Sequence, residues 1–186
     1  MTAPTITRLR VEPLTAESFR PFGQVIGQSE EAPDFRGAQG TLGWSVDWRG
    51  GRAKISYLHT PYQGLRFRAL ERHLQLTQAF IPLGGSPAVL AVAAPTAPND
   101  RDAVPPPSAI CAFLLDGSVG YVLHEGTWHN LDRFAQRRPD TRWVMVTDHE
   151  TANDLDAAYR GQGGFALSQE VNYARRFGTT FEIVPD

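Results

Sequence analysis

The chain is nearly devoid of cysteine and lysine: Cys111 is its single thiol, and Lys54 is the single lysine among 18 basic residues. An internal disulfide is therefore excluded, and Schiff-base chemistry would have to fall on Lys54 alone. Cys111 sits in the apolar run 109–115, where a thiol ordinarily serves as a small buried hydrophobe rather than a nucleophile. Arginine, by contrast, is plentiful and supplies the natural grip for carboxylates. No stretch approaches the ~18 apolar residues of a membrane span, and residues 1–10 lack the apolar segment of a secretion signal. The formal net charge is only −2, with no stripe of basic residues to meet nucleic acid or an anionic membrane. The expectation is a soluble cytoplasmic protein with neither membrane nor nucleic acid among its partners.

What is abundant is punctuation. Seventeen glycines and 14 prolines are spread along 186 residues, of which 41% are hydrophobic and 20% charged. Such a chain is long enough to bury a core and is rich in turns, which predicts an all-β domain. We expect one domain over 1–186: an N-terminal segment at 1–27, a barrel core at 43–148, and C-terminal helices with a final strand at 149–186. A short helical turn is expected at 15–19 and a strand at 24–26. Further strands are expected at 53–58, 65–70, 78–83, 88–93, 109–115, 121–123 and 143–147. Residues 94–107, with five of the prolines, read as a loop away from the functional motifs. In the tail, 151–154 reads as a helix start, with Leu155, Ala158 and Tyr159 on one face. Leu167, Val171 and Ala174 then fit a second helix ending near Gly178, before a strand at 179–184. These helices are expected to pad a barrel end or a dimer contact.

Two segments carry candidate chemistry: Glu71-Arg-His73-Leu-Gln-Leu-Thr-Gln78 and His124-Glu-Gly126-Thr-Trp-His129. On a strand Glu71 and His73 project to one face, and after a turn Gln78 can face the same interior. With His129 from a later strand, they form a nitrogen-and-oxygen set suited to a borderline divalent ion. A lone buried histidine is more often a hydrogen-bonded core residue than a ligand, so order and spacing must carry the argument. Both segments resemble the paired motifs of the cupin superfamily. Glu71 and His73 stand at the two histidine positions of the first motif, Gln78 at its glutamate and Gly85 at its glycine. Gly126 and His129 match the glycine and histidine of the second.

A narrower resemblance joins these motifs. The strings Leu70-Glu-Arg-His73, Thr77-Gln-Ala-Phe-Ile-Pro-Leu83 and His124-x3-Trp128-His129, with Leu14-Thr-x3-Phe19-x2-Phe-Gly-x-Val-Ile26, are similar to the ureidoglycolate lyase family over roughly residues 11–150. The resemblance implies a cupin-like β-barrel (a double-stranded β-helix, or jelly roll), usually a homodimer, that splits ureidoglycolate into glyoxylate and urea. It implies Glu71, His124 and His129 as catalytic residues, with His124 as acid for the leaving nitrogen. Arg72, Gln78, Trp128 and Asn130 would bind the small carboxylate substrate. Glu71, His73, Gln78 and His129 would hold one divalent metal ion: nickel, zinc or manganese. The chain departs from the family pattern at Leu74, Leu123, Glu125, Asn130 and Leu131, several of them positions expected to face substrate. A paralogue acting on a related small hydroxy or keto acid therefore stays open, as does a non-catalytic cupin that binds a small carboxylate or metal as a sensor or oligomeric module.

Overall fold

The computed structural model describes residues 5–131 and 134–185. Two antiparallel-dominated sheets face each other. In the larger, the strands lie in the order Ser168–Asn172, Ala69–His73, Trp128–Asn130, Ala88–Ala93, Cys111–Leu115, Thr5–Pro13, Thr179–Val184 and Arg66–Phe67. The smaller runs Gly23–Ile26, Gly120–Leu123, Gln78–Gly85, Asp140–Asp148 and Ala53–Pro61. This is the expected all-β, cupin-like architecture. The larger sheet also takes strands from both ends of the described chain. Thr5–Pro13 pairs in parallel with Thr179–Val184, so the strands of the barrel extend beyond the expected core at 43–148. Residues 1–4, 132–133 and 186 of the expected domain lie outside the described residues.

Burial explains why the strands read as they do. Ala88–Ala93 is apolar at every position because both its faces are covered. Leu90 and Val92 point between the sheets, where Phe80, Phe113, Tyr121 and Trp143 pack. Val89, Ala91 and Ala93 point outward against a second core with Leu70, Trp128, Tyr173 and Phe181. Ala53–Pro61, at the edge of the smaller sheet, instead alternates exposed and half-buried residues. The helical turn Ala16–Phe19 is fixed by Thr15 and Ser18 capping each other, and it delivers Phe19 into the inner core. There Phe19 meets Phe113 edge-on, with ring centroids 5.5 Å apart. Burying such a ring is worth about 1.5–3 kcal/mol.

Three expectations change. The second C-terminal helix is not formed: Ser168–Asn172 is a strand that pairs with Ala69–His73, and only Tyr173–Arg176 is helical. The first starts earlier than expected, as His149–Tyr159, with the Asp148 carboxylate accepting from the Thr151 amide at 2.7 Å. The proline-rich loop is also not remote from the motifs. It covers the outer face behind Ala69–His73 and Trp128–Asn130, where the Trp128 indole donates to Thr96 Oγ1 at 3.1 Å. Tyr173 ties it from the other side, its hydroxyl donating to the Pro105 carbonyl at 3.0 Å.

Two glycines are required by the backbone. Gly126 adopts φ 76° in the turn before Trp128–Asn130, and its amide donates to the His73 carbonyl at 2.7 Å. Gly85 adopts φ 99°, and a Cβ there would stand 2.6 Å from the Asp140 carbonyl oxygen.

Candidate active site

Strand alternation assembles the site. Glu71 and His73, two apart on Ala69–His73, face the interior together, and His129 lies directly opposite Glu71 on the neighbouring strand. Glu71 Oε1 is 4.0 Å from His73 Nε2 and 3.8 Å from His129 Nδ1. The two imidazole rings are 5.2 Å apart and tilted by 54°. All three side chains are buried; His129 is only 1% exposed and Glu71 8%. One ligand atom from each lies within 4.8 Å of the others, close enough to share a cation.

Neighbouring groups orient the rings. Ser168 Oγ is 3.0 Å from His73 Nδ1, which directs the Nε2 edge toward Glu71. The Asn130 carbonyl, an acceptor only, lies 3.1 Å from His129 Nδ1, so that nitrogen donates the hydrogen. Asp148 is close enough to His73 for the two to interact electrostatically. Burial works to raise the Asp148 pKa, but hydrogen bonds from the Gly51 and Thr151 amides, with His73, leave it below its ordinary value. Asp148 therefore stays ionised beside the cluster at neutral pH.

Across the interior, Gln78 and Glu71 line the same cavity of about 280 Å³, with Leu58, His59, Thr60, Phe80, Leu131 and Met145. The Gln78 amide nitrogen lies 3.6 Å from Met145 Sδ. Two imidazoles and a carboxylate are a borderline donor set of the kind that holds zinc, nickel, manganese or iron. The donors sit on two adjacent hydrogen-bonded strands, so the backbone fixes their spacing before any ion arrives.

Four expected site residues are placed elsewhere. Arg72 alternates to the outer face, where it is fully buried and bonded to Gln169, Thr96, Ala97 and Asp100. Trp128 shares that face, with the Arg72 guanidinium 4.7 Å from its ring centroid. Asn130 accepts from the Ala91 amide through Oδ1 at 2.9 Å, a structural bond within the larger sheet. His124 lies in the turn after Gly120–Leu123, its amide bonded to the Phe22 carbonyl, and is absent from both the cluster and the cavity lining. Glu71, His73, Gln78 and His129 are the expected residues that the fold gathers. Ser168 and Asp148 were not expected. Asp148 carried one legible signal, an acidic residue just before a helix. Ser168 carried none, because it reaches His73 across 95 residues of sequence.

A two-sheet barrel with imidazoles and a carboxylate buried on one inner wall defines a cupin-like protein built around a small polar interior site. Its sequence relationships are narrower. The ureidoglycolate lyase family model matches residues 6–166, and the chain belongs to that family. A ureidoglycolate lyase of Pseudomonas paraeruginosa is 34% identical over 157 residues, covering 80% of this chain and 88% of that protein. One from Pseudomonas syringae pv. syringae is 30% identical over 171 residues, covering 87% and 92%. Among solved structures, RmlC from Streptococcus suis in complex with dTDP-D-xylose overlaps with a TM-score of 0.37 at 10% identity, covering 55% of this chain and 49% of that one. No helix among the described residues is long and apolar enough to cross a membrane.

Proposed function

We propose that the protein is a carbon–nitrogen lyase that cleaves ureidoglycolate, or a closely related ureido acid, into glyoxylate and urea inside the barrel. The observation that carries this reading is the buried Glu71–His73–His129 cluster beside the Gln78 cavity, in a chain of this family. Ureidoglycolate is a carbinolamide: one carbon bears a carboxylate, a hydroxyl and the urea nitrogen. Cleavage needs no added water. The hydroxyl gives up its proton as the carbonyl forms, the C–N bond breaks, and the nitrogen takes the electron pair and a proton.

Glu71 can serve both proton transfers. Its Oε1 is turned toward the two imidazoles, so we assign Oε2 to the substrate. That oxygen takes the hydroxyl proton and returns it to the departing nitrogen, a role typically worth about 10²–10⁴ in rate. Gln78, facing Glu71 across the cavity, offers an amide to the ureido group. Leu58, Phe80 and Met145 exclude water around the reacting carbon. His73 and His129 hold Glu71 in place and, with it, would hold a divalent metal ion. Such an ion would polarise the substrate oxygens and lower the hydroxyl pKa.

The test is release of glyoxylate and urea in equal amounts from ureidoglycolate by purified protein, alongside elemental analysis. Chelation of a bound metal should stop turnover and lower the Tm by roughly 5–10 °C, because the ion binds only the folded state. A folded protein that releases neither product overturns the lyase reading. Full turnover with no metal detected confines the chemistry to Glu71 and the imidazoles.

We also propose that the protein is a homodimer built on the outer face of the smaller sheet. Tyr57, Val144 and Ile81 lie level across three strands, next to a second row of Ile55, Val146 and Ala79. Ile55 is 73% exposed and Tyr57 62%, an apolar face of the kind that marks an interface. Arg142, Asp140 and His59 put both signs of charge at one end of it. A second copy related by a twofold axis meets such a face with complementary charges. Sedimentation should give a dimer that Tyr57→Lys converts to monomer. A wild-type monomer at tens of micromolar overturns the assignment.

A further inference from the structure

A substrate of the proposed kind carries a carboxylate, yet the cluster that meets it contributes a carboxylate of its own. Arg72, the cation that the family resemblance implies for this anion, is committed to the outer face. Other arginines of the surrounding strands and loops are engaged as well: Arg49 with Glu125 at 3.5 Å, Arg142 with Asp140 at 3.7 Å and Arg66 with Glu182 at 2.7 Å.

We propose that Lys54 binds the substrate carboxylate. This deepens the reading above and rests on it. Lys54 is on the edge strand Ala53–Pro61, where exposed and half-buried residues alternate strictly. It belongs to the half-buried set with Ser56, Leu58 and Thr60. Leu58 packs against the core between the sheets, level with the buried Trp143, and with Thr60 lines the cavity that holds Glu71 and Gln78, so this set is the inward face of the strand. The register fixes how far along the barrel Lys54 stands. Ser56 is level with Met145, and Met145 with Phe80; one pair further, Lys54 is level with the buried Thr147. Val146 is level with Ala79, so Thr147 and Gln78 fall in the same cross-strand row. Lys54, Thr147 and Gln78 thus form one inward row, with Lys54 about 10 Å from Gln78 along the hydrogen-bonding direction.

The four-carbon stem of a lysine spans much of that distance and carries a compact charge at its tip. Among the described residues Lys54 takes part in no ion pair. A half-buried ammonium without a fixed carboxylate is suited to an anion that arrives and leaves. The substrate would then lie between two walls. Its carboxylate would meet Lys54 on the smaller sheet, and its hydroxyl would face Glu71 on the larger.

The experiment is calorimetric titration of glyoxylate, the proposed product that keeps the carboxylate, into the wild type, Lys54→Met and Lys54→Arg. Loss of a charge-assisted hydrogen bond should weaken binding by about 10- to 100-fold in Lys54→Met. KM for ureidoglycolate should rise by a similar factor, with a much smaller change in kcat. Lys54→Arg should recover part of the affinity, which a merely structural role would not predict. Should Lys54→Met fail to fold, Lys54→Gln carries the same expectation. Unchanged glyoxylate affinity in a folded Lys54→Met or Lys54→Gln overturns the proposal, as does a wild type that binds no glyoxylate. Glyoxylate binding is read without turnover. Failure of the lyase reading, with ureidoglycolate uncleaved, is therefore distinguishable from failure at Lys54.

Discussion

His129→Ala should reduce turnover of ureidoglycolate by about 10²–10⁴-fold while leaving a folded protein. His129 stands opposite Glu71 in the strand register, and its ring is within 3.8 Å of the carboxylate assigned to both proton transfers. Truncation removes one of the three groups available to a cation and leaves Glu71 less constrained. The Asn130 carbonyl loses its bond from the imidazole, but the sheet is otherwise kept, because Trp128 and Asn130 on either side retain their outer-face and in-sheet side-chain bonds. The stability cost should accordingly be that of one buried side chain, about 1–3 kcal/mol. Circular dichroism and a melting curve check the fold, and a glyoxylate assay checks the rate. Full turnover in the folded variant removes His129 from the site. A useful contrast is metal content. If His129 is a ligand, the variant should lose bound metal as well as rate; if it only positions Glu71, the rate alone should fall.

Much of the inner wall of the site is legible because Glu71, His73 and Gln78 follow strand periodicity. Glu71 and His73 two apart, followed by a turn and Gln78, could be placed on one interior from spacing. The family motif then supplied the partner strand with His129. The outer wall was not legible, since its parts come together over long sequence separations. Leu167, Val171 and Ala174 repeat at helical intervals, so the local pattern places Ser168 in a helix. Pairing of Ser168–Asn172 with Ala69–His73 overrides that local pattern and sets Ser168 against His73. The family resemblance implies Trp128 and Asn130 in the site, whereas alternation and in-sheet bonding send them elsewhere. In the sequence Lys54 is distinguished only as the lone lysine; the register beside Thr147 gives that scarcity a place in the barrel.

Arg72→Met should destabilise the fold by about 3–5 kcal/mol, the range for breaking a buried, hydrogen-bonded charge network. Nε and Nη2 donate to Gln169 Oε1 at 3.0 and 2.7 Å, Nη1 to the Thr96 carbonyl and hydroxyl at 3.0 and 2.8 Å, and Nη2 to the Asp100 carbonyl at 3.1 Å. Those acceptors belong to the proline-rich loop and the strand Ser168–Asn172, so one side chain pins both to the back of the motif strand. Methionine keeps much of the apolar stem but leaves the buried Gln169 side-chain oxygen and the loop carbonyls without these donors, and it forfeits the guanidinium's place over the Trp128 ring. For a domain of this size the loss corresponds to a Tm lower by roughly 6–20 °C. The expected effect on catalysis is opposite to what the family resemblance implies for Arg72. Because Arg72 faces away from Glu71 and His73, kcat and KM measured well below the melting transition should stay within about threefold of wild type, as for a residue that touches no reacting atom. A large rise in KM with an unchanged Tm would return Arg72 to the substrate and displace Lys54 from that role. A lowered Tm with unaltered KM assigns Arg72 to the architecture that holds the site together from behind.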